Sequence, residues 1–244
     1  MPEGDTIHRT AATLQKALAG KVVTRYETVL PKIEAPLRGR TIERVVAAGK
    51  HLVIDFSGDL HLRTHMRMNG AWHVYRHGER WWKPRRDMRV VIETEDFVAV
   101  GFNLPVAELV TGRELRRDLH PQGPDLLGDF DVAEAVRRAR EHGDEAIADV
   151  LLNQRVAAGI GNIWKSESLF ARRINPFTLA HKLDDAALEQ LFLKARALLQ
   201  ASAKGSRPVT SSATGTLKAT ATKSAVSMTT RMSRRGRRQR SPGR

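Results

Sequence analysis

The chain has 244 residues, enough for two cores of ordinary domain size, and its 41% hydrophobic and 28% charged residues exclude a wholly unfolded or collagen-like polymer. No apolar run approaches the ~20 residues that span a bilayer, and the complete lack of cysteine excludes disulfides and thiolate zinc sites. The 41 Lys and Arg outnumber the 27 Asp and Glu, giving a formal charge of +14 that points to a polyanion, nucleic acid before membrane surface.

Asp5 can cap a first helix in which Ile7, Ala11, Leu14 and Leu18 recur at helical spacing and Gly20 follows the last turn. From Val22 to about Phe102 the period changes to two, as in LHLRTHM (60–66) and RVVIETEDFVAV (89–100), which predicts antiparallel strands. HPQGPDL (120–126) then divides the chain. Helical patterns follow over roughly 131–142, 144–157, 162–173 and 184–200, the last with Leu188, Leu191, Phe192, Ala195, Leu198 and Leu199 on one face. From residue 201 onward there are eleven basic residues and no acidic one, so residues 1–200 are nearly balanced, with 30 basic against 27 acidic. That Ser/Thr/Ala/Arg-rich stretch reads as unstructured beyond about Pro208.

Three constellations could carry chemistry. Removal of Met1 would leave Pro2 as a free secondary amine beside the carboxylate of Glu3. Such an amine titrates near ~8 and can attack an electrophilic carbon to form an imine, with Glu3 moving protons. The plainer reading is a Pro-acid helix start. Lys50, after a glycine at the head of the apolar run HLVIDF, faces either solvent or a phosphate. In LNQRVAAGIGNIWKSESLF (152–170), the turn Gly159-Ile160-Gly161 enters a helix at Asn162. Asn162 either caps that helix or joins free backbone N–H groups in holding an anion such as a DNA phosphate. Among weaker signals, Met68 in HMRMNGAW can be read as a core methionine on a strand. Trp81-Trp82-Lys83-Pro84-Arg85-Arg86 mixes aromatic and basic groups that could touch DNA, or pairs buried rings with a solvated turn. His61, His65, His73 and His77 lie four apart where the pattern is strand-like, about 13 Å per step, which disfavours a metal site.

The start MPEGDT and the GKHL, HMRMNGAW and GIGNIWKSESLF segments, in this order, resemble the formamidopyrimidine-DNA glycosylase/endonuclease VIII family over residues 1 to about 208, and the endonuclease VIII branch in particular. The resemblance implies an α+β fold. An antiparallel β-sandwich with a leading helix (1–118) leads through a linker (119–130) to a helical segment with a helix–two-turn–helix motif (131–208), followed by a basic tail (209–244). It implies a bifunctional DNA glycosylase and abasic-site lyase for oxidised pyrimidines, working by an N-terminal Schiff base and β,δ-elimination. In it Pro2 is the nucleophile, Glu3 the general acid/base, Lys50 a phosphate-contacting lysine that assists catalysis, and Asn162 a phosphate ligand. Arg67, Met68 and Asn69 form the wedge that fills the space of the extruded nucleotide. The expected partner is damaged double-stranded DNA, bound by a monomer without metal, small-molecule cofactor or membrane. MPEGDTIHRT does not read as a secretory signal, so a cytoplasmic, nucleoid-associated location is expected.

The alternative is a noncatalytic damaged-DNA-binding protein that kept the scaffold. Many bacterial members of this family end in a four-cysteine zinc finger that supplies an arginine to the DNA, and this chain has no cysteine for one. Either a zincless finger or a replaced C-terminus occupies that region, and the abrupt rise of Ser, Thr and Arg together favours replacement.

Overall fold

The computed structural model describes residues 2–205; the basic run expected as a tail over 209–244, and the last three residues of the expected helical segment, lie outside them. Helix α1 (Gly4–Leu18) buries Ile7, Ala11, Leu14 and Leu18, the four apolar positions of its sequence pattern. Its N-cap is Glu3, in extended conformation, and not Asp5. Asp5 lies inside the first turn at 2% exposure, where its carboxylate accepts from Trp164 Nε1 (3.0 Å) and Ser202 Oγ (2.7 Å). Two buried donors on distant elements claim the acceptor that a local cap would have used.

The strands are β1 (Arg25–Thr28), β2 (Ile42–Ala48), β3 (His51–Phe56), β4 (Leu60–His65), β5 (Ala71–Arg76), β6 (Met88–Glu93), β7 (Phe97–Phe102) and β8 (Val106–Thr111). They form two antiparallel four-stranded sheets, ordered β1-β6-β7-β5 and β2-β3-β4-β8. One shared core joins them to α1: Leu52, Ile54 and Phe56 of β3 meet Val90 and Ile92 of β6, with Leu14 and Leu18 packed alongside. The period of two sends alternate residues to the far side of the first sheet, where Tyr75, Val91, Val100 and Phe102 form a second cluster under Trp81.

The short helix α2 (Gly112–Leu119) follows β8 directly and was not expected from apolar periodicity. Its signal was a capping box: Thr111 Oγ1 accepts from the Glu114 N–H and Glu114 Oε2 accepts from the Thr111 N–H. Beyond Pro124 come α3 (Val132–Arg140), α4 (Ile147–Leu152), α5 (Asn162–Arg172) and α6 (Asp185–Lys204) around a separate core that includes Trp164, Leu188, Leu191, Phe192, Ala195 and Leu199. Both parts belong to one compact unit.

The helix expected over 144–157 is shorter, because side chains after Leu152 satisfy the backbone in place of helical bonds. Asn153 Oδ1 accepts from the Arg155 N–H. The Gln154 amide donates to Leu152 O (2.7 Å) and Ile160 O (3.0 Å) and accepts from the Gly159 N–H (3.0 Å). One glutamine thus organises the two turns between α4 and α5.

Replacing Asp5 by Ala leaves the indole N–H of Trp164 and the hydroxyl of Ser202 buried without an acceptor. The expected loss is about 3 kcal/mol of stability, read as a lowered midpoint in denaturant unfolding.

Candidate active site

Glu3 is 1% exposed, and a buried carboxylate needs donors. It finds them at the start of α5. Its Oε2 accepts from the N–H groups of Gly161 (3.1 Å) and Trp164 (3.2 Å), and its Oε1 from that of Ile163 (2.8 Å). The first-turn N–H groups of a helix lack intrahelical partners and carry the positive end of its dipole, so an anion there is favoured. The anion expected from the glycine turn is therefore supplied by the chain's own glutamate, with the N–H groups of Gly161, Ile163 and Trp164 already engaged. Gly161 is required by space, because a Cβ there would overlap the Glu3 carboxylate. A further backbone bond, Gly4 N–H to Gly159 O at 3.0 Å, seats the beginning of α1 against the same turn. Pro2 precedes Glu3 outside any helix or strand and is half-buried.

Lys50 does not open a strand. It is the second residue of the two-residue turn between β2 and β3, which pair Ala48 with His51. Gly49 precedes it at φ +58, a left-handed conformation that glycine adopts at low cost, and the Gly49 N–H donates to Asp125 Oδ2 at 2.7 Å. The hairpin tip is thereby tied to the connection leading into the helical part. Burial lowers the Lys50 pKa from its ordinary 10.5, while the nearby charge of Glu3 opposes that shift.

Arg67, Met68 and Asn69 form the exposed turn between β4 and β5. Met68 is 72% exposed, so it is not a core methionine; the core residue of the segment is Met66, at 2%. Arg67 has φ +45, and its N–H donates to His65 Nδ1 at 3.0 Å. Burial lowers the His65 pKa, with the charges of Lys50 and Arg67 acting in the same direction, which keeps that ring nitrogen free to accept. The His65 ring meets His51 edge-on at 5.0 Å, and His51, pushed down to about 4 by burial, is neutral at pH 7. Lys50, His65 and the Met68 turn thus share one neighbourhood.

Asn162 is the first residue of α5 and not its cap, which is Gly161. Because Glu3 takes the capping role from outside the helix, the Asn162 side chain is exposed, with Oδ1 accepting from Lys165 Nζ at 3.1 Å. Its amide NH2 has no acceptor among the described residues, so both donors face a ligand. Of the paired tryptophans, Trp81 is half-buried and packs against Phe102, while Trp82 is 84% exposed. Among the described residues no group of three His, Asp or Glu could hold a metal, and His61 is engaged by Asp55 at 2.5 Å. The absence of cysteine rules out a thiolate zinc finger in this chain. Asp125 and Gln154, which help hold this arrangement together, have no assigned role in the sequence reading, and Asp5 enters it only as a local cap. Of the first two, only Asp125, in a Pro-Asp turn, has a local signal.

A two-sheet part with a leading helix, a two-turn connection between helices and a glutamate bound across them define a known class. The formamidopyrimidine-DNA glycosylase N-terminal domain matches residues 1–105, and the H2TH domain of the same enzymes matches 123–213. The chain belongs to the formamidopyrimidine-DNA glycosylase/endonuclease VIII family. It is 39% identical over 204 residues to a probable endonuclease 8 2 of Streptomyces coelicolor, covering 82% of this chain and 74% of that protein. It is 37% identical to the DNA-(apurinic or apyrimidinic site) lyase Nei2 of Mycolicibacterium smegmatis, over 70% of this chain and 66% of that one. Its fold is similar to that of the Lactococcus lactis Fpg in complex with abasic-site DNA, with a TM-score of 0.74, 22% identity, and 83% of this chain and 79% of that one covered.

The lowered pKa of Lys50 makes a pH-dependent prediction. Between that lowered value and 10.5 the unfolded chain holds more protons than the folded one, so the Lys50 contribution to stability improves as pH rises through this window. Below it, the buried ammonium costs stability. Lys50→Met is expected to raise Tm at pH 7, and the advantage is expected to shrink as pH approaches 10.5. A Tm difference independent of pH would contradict this.

Proposed function

We propose that this chain is a bifunctional DNA glycosylase and abasic-site lyase that removes oxidised pyrimidines from double-stranded DNA. The observation that carries the proposal is the Glu3 carboxylate, buried beside Pro2 and held by three N–H groups of α5. In this reading the two-sheet part (1–118) carries the chemistry, and the helical part (131–208) contributes DNA binding through Asn162, across the linker 119–130. The lyase name of the mycobacterial relative supports it.

With Met1 removed, the Pro2 nitrogen would attack C1′ of the damaged nucleotide. The bond from C1′ to the base breaks, and the base leaves with the bonding electrons and takes up a proton. The nitrogen then gives up its own proton, its lone pair expels O4′ as the C1′–O4′ bond breaks, and O4′ takes up a proton, which leaves the opened sugar as an iminium on Pro2. Loss of a C2′ proton expels the 3′ phosphate, and loss of a further sugar proton expels the 5′ phosphate. Glu3 handles the protons. Its Oε2 already accepts two N–H groups and its Oε1 only one, so Oε1 retains an open lone pair for a proton. Lys50, with its lowered pKa, stands ready to bind a phosphate as a cation or to pass a proton. Met68, on its exposed turn, fills the gap left by the extruded nucleotide, between Arg67 and Asn69.

Borohydride reduction should trap the protein lacking Met1 covalently on duplex DNA with an abasic site, and an N-terminal extension ahead of Pro2 should abolish the adduct. Glu3→Gln is expected to retain binding and lose about 10²–10⁴-fold in base release. Salt-sensitive binding to abasic-site DNA with no adduct from the processed protein would favour the noncatalytic alternative.

A further inference from the structure

The connection between β5 and β6 plays no part in the chemistry above, yet it holds the most exposed large apolar side chain among the described residues, Trp82 at 84%. The loop is not loosely draped. Trp81 is fixed edge-on against Phe102 at 5.7 Å and stacked near Tyr75 at 6.4 Å, and the Arg85 guanidinium covers it at 5.6 Å. The Trp82 N–H donates to the Tyr75 hydroxyl at 3.2 Å, so the backbone that carries the outward ring is anchored too. The inner tryptophan secures the loop, and the outer one presents an indole face to water beside an open depression of about 540 Å³ lined by residues 79–85.

Two further features give that face a partner. The flanking cations are available: the Arg80 and Arg86 side chains are exposed and have no carboxylate partner among the described residues. The position is also specific. Lys83 Nζ donates to Asn69 O at 3.4 Å, which fastens the loop to the turn that bears Met68. An exposed aromatic face among cations is the pattern that binds unstacked bases, because paired bases inside a duplex offer only their edges and backbone.

We propose that Trp82, with Arg80 beside it, is a stacking platform for an unpaired nucleobase next to the lesion, and that the protein therefore grips locally opened DNA more tightly through this loop. The proposal rests on the DNA-directed reading above for the identity of its ligand. It assigns to the loop a contact separate from Pro2, Glu3 and Lys50.

The test is fluorescence anisotropy with labelled oligonucleotides carrying a reduced abasic-site analogue, offered single-stranded, within a bubble, or fully paired, against wild type, Trp82→Ala and Trp82→Phe. Trp82→Ala is expected to lose about tenfold in affinity for the single-stranded and bubble forms and less than about twofold for the paired form, with Trp82→Phe retaining most of the affinity. Tm should change little, since the ring is 84% exposed and its ring contact is edge-on with His73 at 5.7 Å. Unchanged affinity of Trp82→Ala for all three DNAs would overturn the platform, as would an equal loss on paired and unpaired forms. Borohydride trapping of the same proteins on paired abasic-site DNA separates the two claims. Failure of wild type to form the adduct, with the affinity pattern intact, would remove the lyase chemistry and leave the platform standing.

Discussion

A carboxylate at 1% exposure, closed on by three backbone N–H groups of another part of the chain, is the interaction on which the rest of this structure depends. Removing an ionised carboxylate from water costs several kcal/mol, and the cost is offset only where donors replace the lost hydration. The start of α5 supplies them together with its dipole. Several local features follow. Position 161 has no room for a side chain, the chain must break out of helix after Leu152 to bring α5 into line, and Gln154 must satisfy the backbone that the break exposes.

The same contact joins two cores that share no apolar cluster. Carboxylates make much of the join: Glu3 to the N-terminus of α5, Asp5 to Trp164 and Ser202, and Asp125 to the hairpin tip at Gly49. These differ from ion pairs on the outer surface, such as Arg137 with Glu134 and Glu141, which contribute little in water. Polar bonds across a junction are directional, so they set the orientation of the parts as well as holding them. That orientation determines where Pro2 sits relative to Lys50 and Asn162. Stability at the junction and geometry at the site are therefore one property of this molecule.

The elements with strong periodicity were legible in the sequence. The apolar faces of α1 and α6 are buried as their spacing demands, and alternate residues of β4 and β6, among them Leu62, Val90 and Ile92, enter the core. Elements governed by side-chain bonding were read less well. Capping of α1 was assigned to Asp5 because the rule concerns neighbours in sequence, whereas Asp5 serves donors more than 150 residues away. Asn162 was open to a capping role for the same reason, and Glu3 occupies that place from outside. Periodicity missed α2 because its apolar content is slight, although its capping box was present at Thr111 and Glu114. The glycine turn offers either a cap at Asn162 or an anion site, and sequence spacing does not say that the anion is the chain's own third residue.

Amide hydrogen exchange at Gly161, Ile163 and Trp164 tests most directly whether Glu3 holds the start of α5. In the wild type these N–H groups should be protected, and in Glu3→Ala their exchange should accelerate by at least about tenfold, while Leu52 and Ile54 in the sheet core keep their rates. Equal protection in the two proteins would contradict the account, because it would mean that the N–H groups are sheltered without the carboxylate.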